Sequence, residues 1–249
     1  MRLTRVHVAE LPSGSAVIAL PDAAARHVAR VLRLTAGDAL RVFDGCGNEF
    51  DATLTTVMRD RVEVRIDDAV PNRAESPLRI TLLQGVARGD KMDLILQKAT
   101  ELGVTAIRPL LSVRSTVKLD AAGIAKRHAH WEGVIASSCE QCGRATLPSL
   151  APTESLASVL ASSTAELRLL LEPTQTAASL PALLETHAAA ARQGVQLLIG
   201  PEGGFDDAEI KQALAAGFAS CQLGPRVLRT ETAGLAAIAA LQVLAGDWR

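Results

Sequence analysis

An α/β protein is predicted: a mostly parallel sheet with helices on both faces, preceded by a small β-barrel. Three observations carry this. From Leu78 onward, strand-length apolar runs alternate with helix-length segments, a pattern that yields a parallel sheet. Before that point the chain reads as several short strands with one helix. Between the two lies Pro71-Asn72-Arg73-Ala74-Glu75-Ser76-Pro77, a proline-bracketed polar stretch suited to a linker. The expected domains are therefore 1–72 and 73–249.

In the first domain a helix is expected over Asp22 to Leu32, with Asp22 as its cap. Ala39 to Phe43 and Glu49 to Val57 read as strands around the turn chemistry of Asp44-Gly45-Cys46-Gly47-Asn48. Arg61 to Asp67 alternates polar and apolar residues, as a half-buried strand does. In the second domain the strands are Arg79 to Val86, Val104 to Leu111, Glu166 to Leu171, Val195 to Ile199 and Ala219 to Leu223. A helix capped by Asp90 buries Met92, Ile95, Leu96, Ala99 and Leu102, and Gly103 stops it. Further helices are expected over Asp120 to Cys142, Leu180 to Arg192, Asp207 to Ala216 and Glu231 to Ala245. Asp206 and Glu209 form a capping-box pattern at the third of these.

Hydrophobic residues make up 48% of the 249, enough for a sizeable core; aromatics are only 2%, so Leu, Val, Ile and Ala must fill it. A net charge of −1 gives no global basic signature, so a nucleic acid has to be met by a local patch. No apolar run approaches the ~20 residues that span a bilayer, and Met1 to Leu20 lacks a signal-peptide layout. A cytoplasmic protein without membrane partners is expected, with reduced thiols at Cys46, Cys139, Cys142 and Cys221. Cys139 and Cys142 lack a second ligand pair at zinc-site spacing, so they read as sharing a partly buried helix face, and no metal is expected.

Two segments near the C-terminus carry most of the chemistry. Gly200-Pro201-Glu202-Gly203-Gly204-Phe205 and Leu223-Gly224-Pro225-Arg226-Val227-Leu228-Arg229-Thr230-Glu231-Thr232-Ala233 each follow a buried strand, where α/β sheets place ligand crevices. No Gly-Lys-Ser/Thr follows the first, so it is not a P-loop; Ser220 stands where a dinucleotide fold needs an acid. Alone, it reads equally as a tight strand-to-helix turn. The second reads either as ordinary capping by Thr230, or as a ligand site using helix N-terminal amides and the Arg229 guanidinium. Arg26, Arg30 and Arg33, with His27, recur at helical spacing in a stretch without acids from Ala23 to Leu34. That is a solvated face or an RNA backbone site. Arg2 and Arg5 would extend it, and Arg88, Lys91, Arg114, Lys118 and Arg144 would continue it onto the second domain.

Taken together, these segments resemble the RsmE family of SPOUT-superfamily methyltransferases, which methylate N3 of a uridine in 16S ribosomal RNA. Gly89-Asp90-Lys91-Met92-Asp93 with Gln97 to Val104, Glu140-Gln141-Cys142-Gly143-Arg144 with Leu147-Pro148, and His27 to Leu34 with Gly37-Asp38 extend the resemblance over nearly the whole chain. The chain departs from the family pattern at Val6-His7, where an aromatic pair is common. The resemblance implies a SPOUT-type parallel sheet ending in a trefoil knot, a PUA-like RNA-binding barrel, S-adenosylmethionine held bent in the knot loops, and a homodimer. Its partner would be 16S RNA within the small ribosomal subunit.

Cofactor contacts are then expected from Leu171, Glu172 and Pro173, from Ile199, Gly200, Pro201, Glu202, Gly203 and Gly204, and from Leu223, Gly224, Val227 and Leu228. Thr230, Thr232 and Ala233 at the last helix would complete them. Uridine N3 must lose its proton, so a cation near O2 or O4 helps; Arg229 is the expected donor. Glu231 or Glu202 would accept the proton, or else only shape the pocket, and Glu231 is taken with Arg229 as the catalytic pair. A non-catalytic RNA-binding assembly factor of the same fold is the alternative, and a transfer-RNA enzyme is disfavoured by the N-terminal motif.

Overall fold

The structure, a computed structural model, describes residues 3–12, 14–59, 61–115, 121–172 and 177–248. Two compact units emerge: Met1–Glu75 with Ala136–Leu147, and Ser76–Ile135 with Pro148–Arg249.

Val62, Val64 and Ile66 alternate with polar residues and bury one face of a strand. Among the described residues the first unit has five strands: β1 (Arg5–His7), β2 (Val17–Ala19), β3 (Ala39–Phe43), β4 (Glu49–Val57) and β5 (Val62–Val70). They pair in the order β1-β3-β4-β5-β2, with β1 and β3 parallel and the rest antiparallel. Register shifts between Phe50 and Ala52 and between Leu54 and Thr56 are bulges, which bend and twist the pair. The core gathers Val6, Leu40, Val42, Leu54 and Val64, closed by Val28.

The segment carrying Val28 differs from expectation. α1 (Asp22–Arg26) runs into a π-helical turn (His27–Leu32), which stops at Arg33 with a left-handed φ of 54°. That conformation is uncommon for a residue with a Cβ. Pro21 holds the cap position, so Asp22 is the first helical residue and makes no cap bond.

The first unit also takes in residues that the linker position assigns to the second domain. Buried Arg5 donates to Glu49 at 2.7 Å, to the Cys139 carbonyl, and to the Arg144 carbonyl at 3.0 Å. Its guanidinium lies 4.5 Å over the Phe43 ring. Arg144 donates to Glu75 at 2.8 Å. These contacts bind 136–147 to β1 and β4, and no local sequence pattern announces them. Cys139 is fully buried here and Cys142 half-buried. A hydrogen bond from Cys139, helped by the Arg144 and Arg5 charges, lowers the Cys142 thiol below its ordinary range against the opposing effect of burial.

In the second unit, eight strands form one parallel sheet. They are β6 (Ile80–Gly85), β7 (Ala106–Leu111), β8 (Ser149–Leu150), β9 (Glu154–Ser155), β10 (Leu167–Leu171), β11 (Ala178–Ser179), β12 (Val195–Ile199) and β13 (Ala219–Gln222). The order is β11-β13-β10-β12-β6-β7-β8, and β9 pairs with β7. The helices are α2 (Asp90–Glu101), α3 (Ala121–Cys142), α4 (Leu156–Ala161), α5 (Leu180–Thr186), α6 (Ala188–Gln193), α7 (Asp207–Ala215) and α8 (Thr230–Ala245). Strand alternation builds both faces of the sheet. Leu83, Leu110, Leu170 and Leu198 meet Leu156 and Val159 of α4, Ala213 of α7, and Phe205 and Phe218. On the other face α8 packs on β6, β12 and α2. Gly234 permits this: a Cβ there would lie 3.4 Å from Leu82 and 3.5 Å from Ile199.

Most expected elements occur within two residues of their expected ends. The helix expected over Leu180 to Arg192 divides at His187 into α5 and α6. β1, β2, α4 and the two-residue strands β8, β9 and β11 are additional, although Ser155, accepting from the Ser158 N–H, marks α4 as a capped helix. Gly89 rather than Asp90 precedes α2, and Arg229 rather than Thr230 precedes α8. The capping box of Asp206 and Glu209 is present in full.

Candidate active site

β13, β10 and β12 are neighbours in the sheet, so the loops leaving their C-terminal ends converge although they are distant in sequence. Between them lies a cleft of about 480 Å³. Leu171 and Glu172 follow β10; Ile199, Gly200, Pro201, Glu202 and Gly204 follow β12; Val227, Leu228, Arg229, Thr230, Glu231 and Ala233 lead into α8; Lys91 reaches in from α2. A smaller recess of about 60 Å³ adjoins it, sharing Leu171, Glu172, Val227, Leu228 and Ala233 and adding Cys221, Gln222, Leu223, Gly224 and Arg226.

Close backbone packing holds these loops. A Cβ on Gly85 would sit 2.4 Å from Pro201 N and 2.8 Å from Gly200 C, so β6 can support the loop only with glycine there. Gly204 turns the chain back at φ 67°, its N–H donating to the Pro201 carbonyl at 2.9 Å. Thr230, the first residue of α8, donates its hydroxyl to the Gly200 carbonyl at 2.6 Å and accepts from Gln84 Nε2 at 3.0 Å. One buried threonine thus ties α8, the β12 loop and β6 together, which is its role in place of the expected N-cap.

Two cations and three carboxylates line the cleft: Lys91 and Arg229 against Glu172, Glu202 and Glu231. Burial opposes charge on Glu202, yet its carboxyl lies below the usual range. The Arg88 N–H hydrogen-bonds to it at 3.0 Å, its own N–H does so too, and Lys91 stands beside it. Burial pushes the Glu172 carboxyl up, against the Arg114 charge. Lys91 Nζ is 3.5 Å from Glu202 and 3.5 Å from Glu231 Oε2. That Glu231 oxygen is buried and has no hydrogen-bond partner among the described residues, where its contact with Lys91 is ionic. Arg229 is exposed and its side chain makes no cap bond.

Residues 74–242 match the model of an RNA methyltransferase domain, and residues 20–67 that of an RNA methyltransferase PUA domain. Ribosomal RNA small subunit methyltransferase E of Buchnera aphidicola from Schizaphis graminum is 34% identical over 249 residues, covering 99% of this chain and 98% of that one. The chain belongs to the ribosomal RNA small subunit methyltransferase E family. The enzyme of that name from Bacillus subtilis is 29% identical, over 99% of this chain and 98% of its own. Among solved structures, the Neisseria gonorrhoeae family member bound to S-adenosylmethionine superposes with a TM-score of 0.93 at 40% identity, over the full length of both chains. A Legionella pneumophila protein in complex with the same cofactor gives 0.91 at 37% identity, over 99% of this chain and 100% of that one.

The structure brings most of the expected cofactor residues into this one cleft and its recess. Gly203 is an exception: it faces Arg114, where a Cβ would meet the Arg114 Cβ at 3.0 Å, and it does not line the cleft. Thr232 is exposed and also outside the lining. Pro173, Arg2 and Lys118 lie outside the described residues. Arg226, inside the expected run 223–228, lines the recess, and so do Cys221 and Gln222, which were not expected. The inner two end a strand whose lining face periodicity does not identify; burial raises the Cys221 thiol to about 11.

The basic residues divide. Arg26, His27, Arg30 and Arg33 are exposed along α1 and the π turn. Arg5 and Arg144 are not available to RNA, because both are buried and bound to Glu49 and Glu75. Arg114 donates to the Gly203 and Phe205 carbonyls at 3.2 Å, which places it in the loop scaffold. Arg88 is exposed beside the cleft, and Lys91 is inside it. Reversing Arg26, Arg30 and Arg33 to glutamate should weaken RNA association and flatten its salt dependence while leaving cofactor affinity unchanged. Filter binding across a salt series checks this; an unchanged slope assigns the stretch to a solvated face.

Proposed function

We propose that this chain transfers a methyl group from S-adenosylmethionine to N3 of a uridine in 16S ribosomal RNA. The observation that carries the reading is the cleft itself, walled by three backbone loops at the C-terminal ends of neighbouring parallel strands in a member of the family. The residues fit the cofactor. Leu171, Ile199 and Leu228 offer apolar walls for an adenosine, and three carboxylates suit a ligand bearing ammonium and sulfonium charges. The bound cofactor supplies an electrophilic methyl group. The chain's own residues orient the base, exclude water and manage the N3 proton. Arg229, exposed at the start of α8, is placed to meet a uracil carbonyl as negative charge grows on it. Glu231, two residues further on and largely sheltered, would accept the proton.

The arms around this chemistry belong to the same reading. The first unit docks the RNA, in assembled or assembling small subunits. The knot expected of the SPOUT fold is supported by β13 lying between β10 and β11 and by α8 returning to β6 and β12. A homodimer is supported by α8, which leaves Val243 and Leu244 exposed, with Trp248 just beyond it. Sedimentation at micromolar concentration is expected to show a dimer, and an active persistent monomer would count against it. The decisive test is mass spectrometry of nucleosides after incubation with small-subunit particles and S-adenosylmethionine. 3-Methyluridine is expected; its absence, with RNA still bound, favours the non-catalytic assembly factor.

A further inference from the structure

Lys91 sits in a stretch that, as sequence, reads as an RNA-docking surface. Its surroundings say otherwise. The ammonium is held between two carboxylates at 3.5 Å each, from the β12 loop and from the first turn of α8, and only about a third of the side chain is exposed. One cation against two anions leaves this cluster net negative, which repels phosphate. The remaining charged groups lining the cleft are Glu172 and Arg229, with Arg114 acting on Glu172 and Arg88 presenting its backbone N–H to Glu202. Arg229 makes no bond to the end of its own helix.

We infer that Lys91 is a positioning residue of the reaction site: its single ammonium holds Glu202 and Glu231 together across the cleft, so that Glu231 can take up and release a proton without leaving a half-buried cation uncompensated. An isolated Lys–Glu pair in a sheltered cleft loses its compensation when the carboxylate is protonated. Here Glu202 remains paired through the Arg88 N–H and Lys91, so the cation stays neutralised while Glu231 changes state. In the proposed reaction the N3–H bond breaks, its electron pair forms the N3–methyl bond, the sulfur keeps the pair of the broken sulfur–methyl bond, and the proton passes to Glu231 and then to water. Lys91 touches no reacting atom in this account and acts only through the carboxylates.

The inference rests on the proposed methyl-transfer reading, and its test separates the two. Lys91→Met removes a positive charge within 4 Å of both carboxylates, which raises their affinity for protons. The acid limb of kcat against pH should therefore move up by about one unit. Lys91→Arg should restore the limb, and Glu202→Gln in the Lys91→Met background should restore it in part by removing the like charge. The salt slope of RNA binding should stay at the wild-type value. An unmoved acid limb together with a slope lowered by about 0.7, the share of one phosphate contact on a single strand, would overturn the inference in favour of RNA docking. Carbon-13 NMR titration of the glutamate carboxylates gives a readout independent of turnover. Identical titration in wild type and Lys91→Met overturns the inference even where no 3-methyluridine forms, whereas absent product with a shifted titration overturns only the methyl-transfer reading.

Discussion

Replacing Arg229 with alanine is expected to lower single-turnover methyl transfer by on the order of a hundredfold or more, the usual effect of removing a donor aimed at developing negative charge. Cofactor and RNA affinity should change little. Arg229 is exposed, lines the cleft and contributes no side-chain cap to α8, so its removal leaves the fold without a lost contact to repair. The interaction strengthens only as N3 is alkylated, and such interactions appear in turnover rather than in binding. Lysine should rescue in part, since it carries the charge without the planar fork. Rapid-quench assays on small-subunit particles measure this directly; near-normal chemistry in the alanine variant would remove Arg229 from the mechanism.

Gly85→Ala is expected to abolish measurable cofactor binding although Gly85 itself does not line the cleft. The added methyl would occupy a position 2.4 Å from Pro201 N and 2.6 Å from Pro201 Cδ, distances that no Cβ sustains. Both strand β6 and the Gly200-Pro201 turn are backbone here, so the turn must move, carrying the cleft wall and the Thr230 hydrogen bond to Gly200 with it. Overpacking of this kind costs about 1–3 kcal/mol of stability. Calorimetric titration with S-adenosylmethionine, alongside a melting curve, separates lost binding from lost fold. Gly133→Ala is the control. A Cβ at that helical position meets nothing within 4 Å, so affinity and melting should hold or improve slightly. Retained affinity in Gly85→Ala would show that the turn tolerates displacement. By the same geometry Gly203→Val acts through Arg114 rather than by filling the cleft, and a smaller loss of affinity is expected from it.

What was legible in the sequence is what short-range physics encodes. Apolar runs such as Val195 to Ile199 specify buried parallel strands because both their faces are covered. Asp206 and Glu209 announce a helix start because the cap needs only residues three apart. The two loops after β12 and β13 announce a ligand crevice, because strand ends with glycine and proline leave backbone exposed there. Alternation of apolar runs with helix-length segments announced the parallel sheet, and the family resemblance added the PUA-like character of the first unit.

Only the tertiary structure decided which charged side chains are free to act. Arg5 and Arg26 look alike as sequence, yet Arg5 is buried on Glu49 and the Cys139 and Arg144 carbonyls, while Arg26 is exposed on its helix. Arg5 draws 136–147 into the first unit across more than a hundred residues of chain, and no window of local pattern contains both ends of that contact. Lys91 passes from an RNA-docking expectation to a cleft residue for the same reason. Its two carboxylates arrive from the β12 loop and from the first turn of α8, which only strand order brings together. Periodicity and turn chemistry determine elements because they depend on neighbours in the chain; the partner of a long charged side chain depends on which elements pack side by side, and that is settled by burial of the whole sheet.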